Sequence, residues 1–419
     1  MFTRSRWLTS CSALVLALLL GHPATAAEEA ESPPSRTASQ ILGAEKVKGP
    51  GYTIRERVEP RAFLNHYEIE SSFGLYEAHS DRMLTVRLRE IQTMQRLMKM
   101  SATNTYMASL QKRLVALPNS LVQVATNPVK AIGRVPKVVG KTFGRVGSFL
   151  GGVGKGGGGK SPDDIRKALV AAQKRRLAAE LKVDVYSTNP KLQQLLDDVA
   201  TARYAGEMTV SLASYAIPGG AGTAVYSAAS YNADIVQILA DKTEEELIAH
   251  NGKLLRGLGV HAFVVRKFFE TPHLSPRHET SITAAMGTMR GVQGLGAVAE
   301  AATEVVDETR ALLQEQQALA LAYYHQHREP LAELQADGGI VVARTRSGRA
   351  VVMGPVDLLW HDAASSAVLA ALARVPLMRA ARQRDLEIKG RVTQRFVDAA
   401  KAQGFRVISG WPGVPRVNR

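Results

Sequence analysis

Leu84, Leu88, Ile91, Met94 and Met98 recur at three- and four-residue spacing, which predicts a long amphipathic helix with a methionine-rich core stripe. Before it, HYEIESSFGLYEAHS (66–80) alternates in part around a glycine and predicts a short strand pair. From 162 to about 330 the pattern is helical almost throughout. SPDDIRKAL opens with Ser161 as N-cap, Pro162 at the first helical position and two aspartates in the first turn. STNPKLQQLLDD (187–198) starts in the same way, and TEEELIAHNGKLLRGLG (243–259) has Thr243 as cap and Gly257 as stop. A further helix is expected from about Leu295 to His325. The uncharged stretch 208–233 reads as a buried helical hairpin turning at Pro218-Gly219-Gly220.

Past residue 330 the character changes. IVVARTRSGRAVVM (340–353) places two apolar runs around Ser347-Gly348, a hairpin signal. GFRVIS (404–409) adds a candidate third strand, with helical patterns between. The expected fold is mainly α: a multi-helix body with a short N-terminal strand pair and a small C-terminal α+β module.

The first 26 residues alter the picture. Arg4 and Arg6 precede the apolar run Ser12–Leu20, and Ala24-Thr25-Ala26 is a small-x-small cleavage signal. The expected organisation is a signal peptide over 1–26 and a Pro/Ser-rich disordered tether over 27–50. The strand pair and long helix take 51–116, a basic Gly-rich segment 117–161, the helical body 162–330 and the α+β module 331–419. The protein is expected to be exported and periplasmic, peripheral to a membrane. Its single cysteine, Cys11, lies in the leader. A mature chain without thiols excludes disulfides, thiolate metal sites and cysteine nucleophiles.

Charge changes it again. Lys and Arg number 53 against 38 Asp and Glu, a formal +15 that becomes +13 without the leader. Outside the cytoplasm such charge points to anionic lipid headgroups or envelope polymers, with no nucleic acid or nucleotide as partner. The stretch from Ile91 to Pro162 holds eleven Lys or Arg and no acid. Within PKVVGKTFGRVGSFL (136–150), Val139, Phe143, Val146 and Leu150 share one helical stripe, and Lys137, Lys141 and Arg145 lie opposite. That is the layout of a membrane-binding helix in the interface plane. Gly140, Gly144 and Gly147 cost about 3 kcal/mol of helix propensity. Attraction to an anionic surface, about 1 kcal/mol per basic residue, offsets this. The alternative is an apolar stripe docked on the helical body.

Candidate chemistry changes little. GKGGGGKS (154–161) fits a phosphate loop letter for letter. No β-branched strand precedes it, however, and Ser161-Pro162 reads as a helix start. Six glycines in the eight positions 152–159 make it a flexible linker. VVMGPVD (351–357), the nearest metal-binding strand, is broken by Gly-Pro. Ser109-x-x-Lys112 and Ser230-Tyr231-Asn232 lack the Lys-Thr-Gly strand of a penicillin-binding serine enzyme. His278-Glu279 has no second zinc-site histidine, and adjacent acids such as Asp197-Asp198 diverge on a helix. No catalytic, cofactor-binding or metal residue is assigned, and no cofactor is expected. The rival to this non-catalytic reading is a hydrolase of cell-wall or lipid substrate, with Tyr324, His325, His327 and Trp360 available at the junction with the C-terminal module. A third class is a secreted factor acting on a host or a neighbour.

At VDVYSTNPKLQQLLDDVA, FFETPHLSPRHET and PVDLLW the chain resembles a family of exported bacterial envelope proteins with no assigned activity. The resemblance implies export and carries no site residues.

Overall fold

A computed structural model describes residues 30–101, 161–206 and 233–410. The architecture is α+β, which corrects the mainly-α expectation: among the described residues helices alternate with a six-stranded sheet, a mixed five-stranded sheet and a two-stranded one. No helix among them is long and apolar enough to cross a membrane.

The N-terminal sheet is built on β5 (Leu64–Ser71). On one side β5 pairs antiparallel with β3 (Tyr52–Ile54) and β4 (Arg57–Arg61), and on the other with β6 (Gly74–Ala78). Short β1 (Arg36–Thr37) and β2 (Lys48–Gly49) extend its margins. Residues 30–50 are therefore largely structured, where the sequence predicts a disordered tether. A Thr37–Gln40 capping box starts the helix Ala38–Leu42, and the Glu31 carboxylate accepts from the Thr393 hydroxyl at 2.7 Å. The expected strand pair over 66–80 forms as β5 and β6, but β3 and β4 go beyond that expectation.

Tyr67, Ile69 and Tyr76 of this sheet meet Leu84, Leu88, Ile91 and Met94 of the helix Asp81–Ser101, along the stripe the periodicity predicts. The helices Pro162–Leu181 and Pro190–Tyr204 complete this core through Leu177, Leu192, Leu195 and Val199. Both start as the sequence predicts, on Ser161 and Asn189 caps followed by proline. A second core joins the helices Glu244–Gly257, Ala262–Glu270, Pro276–Thr288, Gly296–Ala302 and Glu308–His327. The single helix expected over 295–325 is in fact two. Asp307, in an extended conformation, breaks the chain and caps the second, its side chain accepting from the Arg310 N–H at 2.7 Å.

The five-stranded sheet runs β13 (Phe405–Ser409), β11 (Gln383–Ile388), β9 (Arg349–Gly354), β8 (Ile340–Thr345), β7 (Leu331–Asp337). β7, β8 and β9 form an antiparallel meander, and β9, β11 and β13 are parallel. The hairpin at Ser347-Gly348 and the strand over 404–409 are where the sequence places them; β7 and β11 are additions to it. Val341, Ala343, Val351 and Met353 face the helical body. Val342, Val352, Leu386 and Ile388 face the other way, under the helices Ala363–Arg374, Pro376–Ala380 and Gln394–Ala402. β10 (Leu358–Leu359) and β12 (Arg391–Val392) form a parallel pair at one end of this module.

Candidate functional site

The residues carrying the membrane expectation, Lys137, Val139, Lys141, Phe143, Arg145, Val146 and Leu150, lie outside the described residues. So do Ser109, Lys112, Ser230 and the hairpin expected over 208–233. At the end of the phosphate-loop match, the Asp164 N–H donates to Ser161 Oγ at 3.2 Å, and the Ser161 hydroxyl donates to Asp164 Oδ2 at 2.8 Å. A hydroxyl committed to a capping box serves the helix. Lys242-Thr243 likewise leads into a capping box closed on Glu246.

The four residues of the hydrolase rival are not brought together. Tyr324 packs in the core on the body side of the five-stranded sheet, and Trp360 belongs to the core on the other side. His325 Nδ1 accepts from the Leu331 N–H at 3.0 Å, while the His327 ring stacks on Tyr323 with centroids 4.4 Å apart. Among the described residues no group of three or more His, Asp and Glu is placed to hold a metal ion.

A cluster of strongly perturbed groups instead lies where the N-terminal sheet meets the C-terminal module. The β4–β5 turn is two residues, Ala62 and Phe63, with φ of 48° and 67°. Positive φ at both positions is the type I′ geometry that Asn-Gly adopts readily and Ala-Phe does not. Tertiary contacts hold it. The Phe63 ring meets Trp360 at 4.7 Å between centroids, and the Phe63 carbonyl accepts from the N–H groups of Asp357 and Leu358, both at 3.1 Å.

The Asp357 carboxylate closes the junction from the other direction. Its Oδ2 accepts from the Asn65 N–H at 3.1 Å and from the Asp81 N–H, in the first turn of the long helix, at 2.9 Å. Asp81 Oδ1 accepts from Asn65 Nδ2 at 2.8 Å and from the Tyr67 hydroxyl at 2.6 Å. Asp357 Oδ1 has no hydrogen-bond partner, and Lys389 Nζ stands 3.6 Å away. Gly390 lies so close that a Cβ there would fall 2.0 Å from the Asp357 carbonyl oxygen, so only glycine fits. Burial raises the Asp357 pKa and nearby Asp81 raises it further; Lys389 and the two N–H donors pull it back, leaving it at about 7. A carboxyl that gains or loses its proton near neutrality thus sits in the seam between two structural units.

Several other buried ionic groups are paired. On β11, Asp385 accepts two bonds from Arg406, at 3.0 and 2.8 Å, and Glu387 accepts from Arg328 at 2.8 Å. Inside the body, Arg277 makes a bidentate pair with Glu315 at 2.8 and 2.7 Å and reaches Asp184 at 2.9 Å. Arg87 binds Glu90 at 2.9 Å and Glu308 at 2.6 Å, and Glu90 also accepts from Ser187 and Asn189. Arrangements of this kind lock elements together.

Comparison with known protein families, characterised proteins and solved structures gives no match to this chain.

Proposed function

We propose that the chain is an exported envelope protein that associates peripherally with an anionic membrane face or envelope polymer, in a non-catalytic role. Lys137, Lys141 and Arg145 supply charge to the surface, and Val139, Phe143, Val146 and Leu150 insert. The observation that carries this is the stretch from Ile91 to Pro162, with eleven basic residues and no acid. The helix that follows it is consistent with a surface role. Every residue from Ser161 to Leu169 is exposed, Ile165 and Leu169 at 48 % and 47 %, so the chain rejoins the body from its surface.

The test is co-sedimentation of the protein with phosphatidylglycerol or phosphatidylcholine vesicles at low and high salt, beside a variant lacking 130–160. The expected result is binding to the anionic vesicles alone, weakened by salt and lost in the deletion. Intact protein that stays in the supernatant with both lipids would sink the reading.

A further inference from the structure

The helices Glu244–Gly257 and Ala262–Glu270 meet at a short connection, and their apposed ends form one corner of the helical body. Most apolar residues there point inward: Leu255, Val260, Val265, Phe268 and Phe269 are all buried. Two do not. Leu254 in the last turn of the first helix is 37 % exposed, and Phe263 in the first turn of the second is 56 % exposed, the highest among the exposed large apolar residues of the described chain. Single exposed apolar residues are ordinary. This pair is set apart by its surroundings.

From Leu247 to Phe269 the chain has no acidic residue, while Lys253, Arg256, Arg266 and Lys267 are all exposed. The Arg266 guanidinium lies 5.6 Å from the Phe263 ring centroid. Glu246 and Glu270 bound this run, and Glu304 holds Lys267 at 3.2 Å. His250 responds to the same surroundings: burial lowers its pKa first, and Lys242 and Lys253 lower it further. The display is also rigid. The Val260 N–H donates to the Leu255 carbonyl at 3.1 Å, Gly259 turns at φ 78°, and His261 Nδ1 accepts from the Phe263 N–H at 3.3 Å. A preorganised corner loses little freedom on binding.

We propose that this corner is a second contact with the anionic lipid surface, Phe263 and Leu254 entering the interface while Lys253, Arg256 and Arg266 face the headgroups. It rests on the peripheral-membrane reading but uses residues about ninety positions or more beyond the segment that carries it. An aromatic ring and a leucine within a field of cations suit a surface that is anionic outside and apolar beneath. A protein partner would have to present acids around an apolar pocket to match the same display.

The experiment uses the full chain, in a Cys11→Ser background so that an introduced thiol is unique. Vesicles of phosphatidylglycerol and phosphatidylcholine are titrated with the parent protein, the double variant Leu254→Ser/Phe263→Ser, and the variant lacking 130–160. Phe263→Cys, carrying an environment-sensitive dye, reports directly on insertion. The expected result is an affinity about tenfold lower for the double variant at an unchanged melting temperature, with a blue shift of the dye on anionic vesicles only. Equal binding by the double variant together with a silent dye overturns the corner, and if the deletion then abolishes binding, the segment reading survives alone. Should the deletion bind normally while the double variant fails, the corner stands and the segment reading falls. No binding by the parent removes both. If the double variant is destabilised, the dye decides.

Discussion

Asp357 is inconspicuous in the sequence because the residues that define it, Asp81 and Asn65, lie 276 and 292 positions away. Nothing in PVDLLW announces a carboxyl with a pKa near 7. In the unfolded chain the same group titrates near 4. The folded state thus binds the proton more tightly, and stability contributed through this group is full below pH 4 and lost as pH rises through 7. Asp357→Asn keeps an oxygen acceptor for the two N–H donors and removes the charge. Between pH 5 and 8 the melting temperature of the parent minus that of the variant is expected to fall as pH rises, since the His66 contribution is common to both proteins. Identical slopes would show that Asp357 is ionised throughout the range. His66 gives the opposite sign and is separable: burial and His79 hold its pKa down at about 4, so its contribution is present above pH 6.5 and is lost toward 4.

At the scale of elements, the sequence is readable where side chains carry the turn signal and silent where tertiary contacts impose it. Ser347-Gly348 marks the β8–β9 hairpin and the structure has it there. Ala62-Phe63 makes an equally tight hairpin with no such signal, because Trp360 and Asp357 hold Phe63 in place from the far end of the chain. β7 carries Leu331, Ala332, Glu333 and Leu334, residues typical of helices, and the two-residue turn at Gly338-Gly339 overrides that preference. β11 is hidden for another reason: Asp385 and Glu387 occupy one of its faces, and arginines satisfy them only after folding. The caps at Ser161, Asn189 and Thr243 are local chemistry, and all three are legible. The strained turn supplies a test. Ala62→Gly removes a left-handed cost of about 1–2 kcal/mol at a flexibility cost of roughly 0.5–1. Urea unfolding should show a net gain of about 0.5–1 kcal/mol, whereas Ala62→Val, β-branched at positive φ, should lose at least about 1 kcal/mol. A stabilising valine would mean that the turn relaxes to negative φ.

Over the whole molecule, ionic networks tie together parts of the chain that the hydrophobic cores keep separate. Arg277 on the helix Pro276–Thr288 bridges Asp184, beside the N-terminal core, to Glu315 on the helix Glu308–His327, which leads into the five-stranded sheet. Arg277 and Glu315 are 4 % and 1 % exposed, so neither charge has water to fall back on. Burial also raises the Asp184 pKa, and Arg277 works against that rise. A buried pair of this kind adds little over a well-packed apolar replacement, yet breaking it from one side strands a charge. Arg277→Met alone should therefore destabilise the protein by about 3–5 kcal/mol, and Glu315→Met by a similar amount. In the double variant Asp184 would keep its burial and lose the Arg277 cation that opposes the rise of its pKa, so the triple variant Asp184→Asn/Arg277→Met/Glu315→Met is the informative one. It should recover most of the loss, and hydrogen exchange should show the N-terminal sheet and the β7–β9 meander opening together again. Single variants with additive losses, no recovery in the triple variant and one shared unfolding transition would assign the cost to packing around Arg277. The ionic bridge would then have no part in coupling the two ends of the molecule.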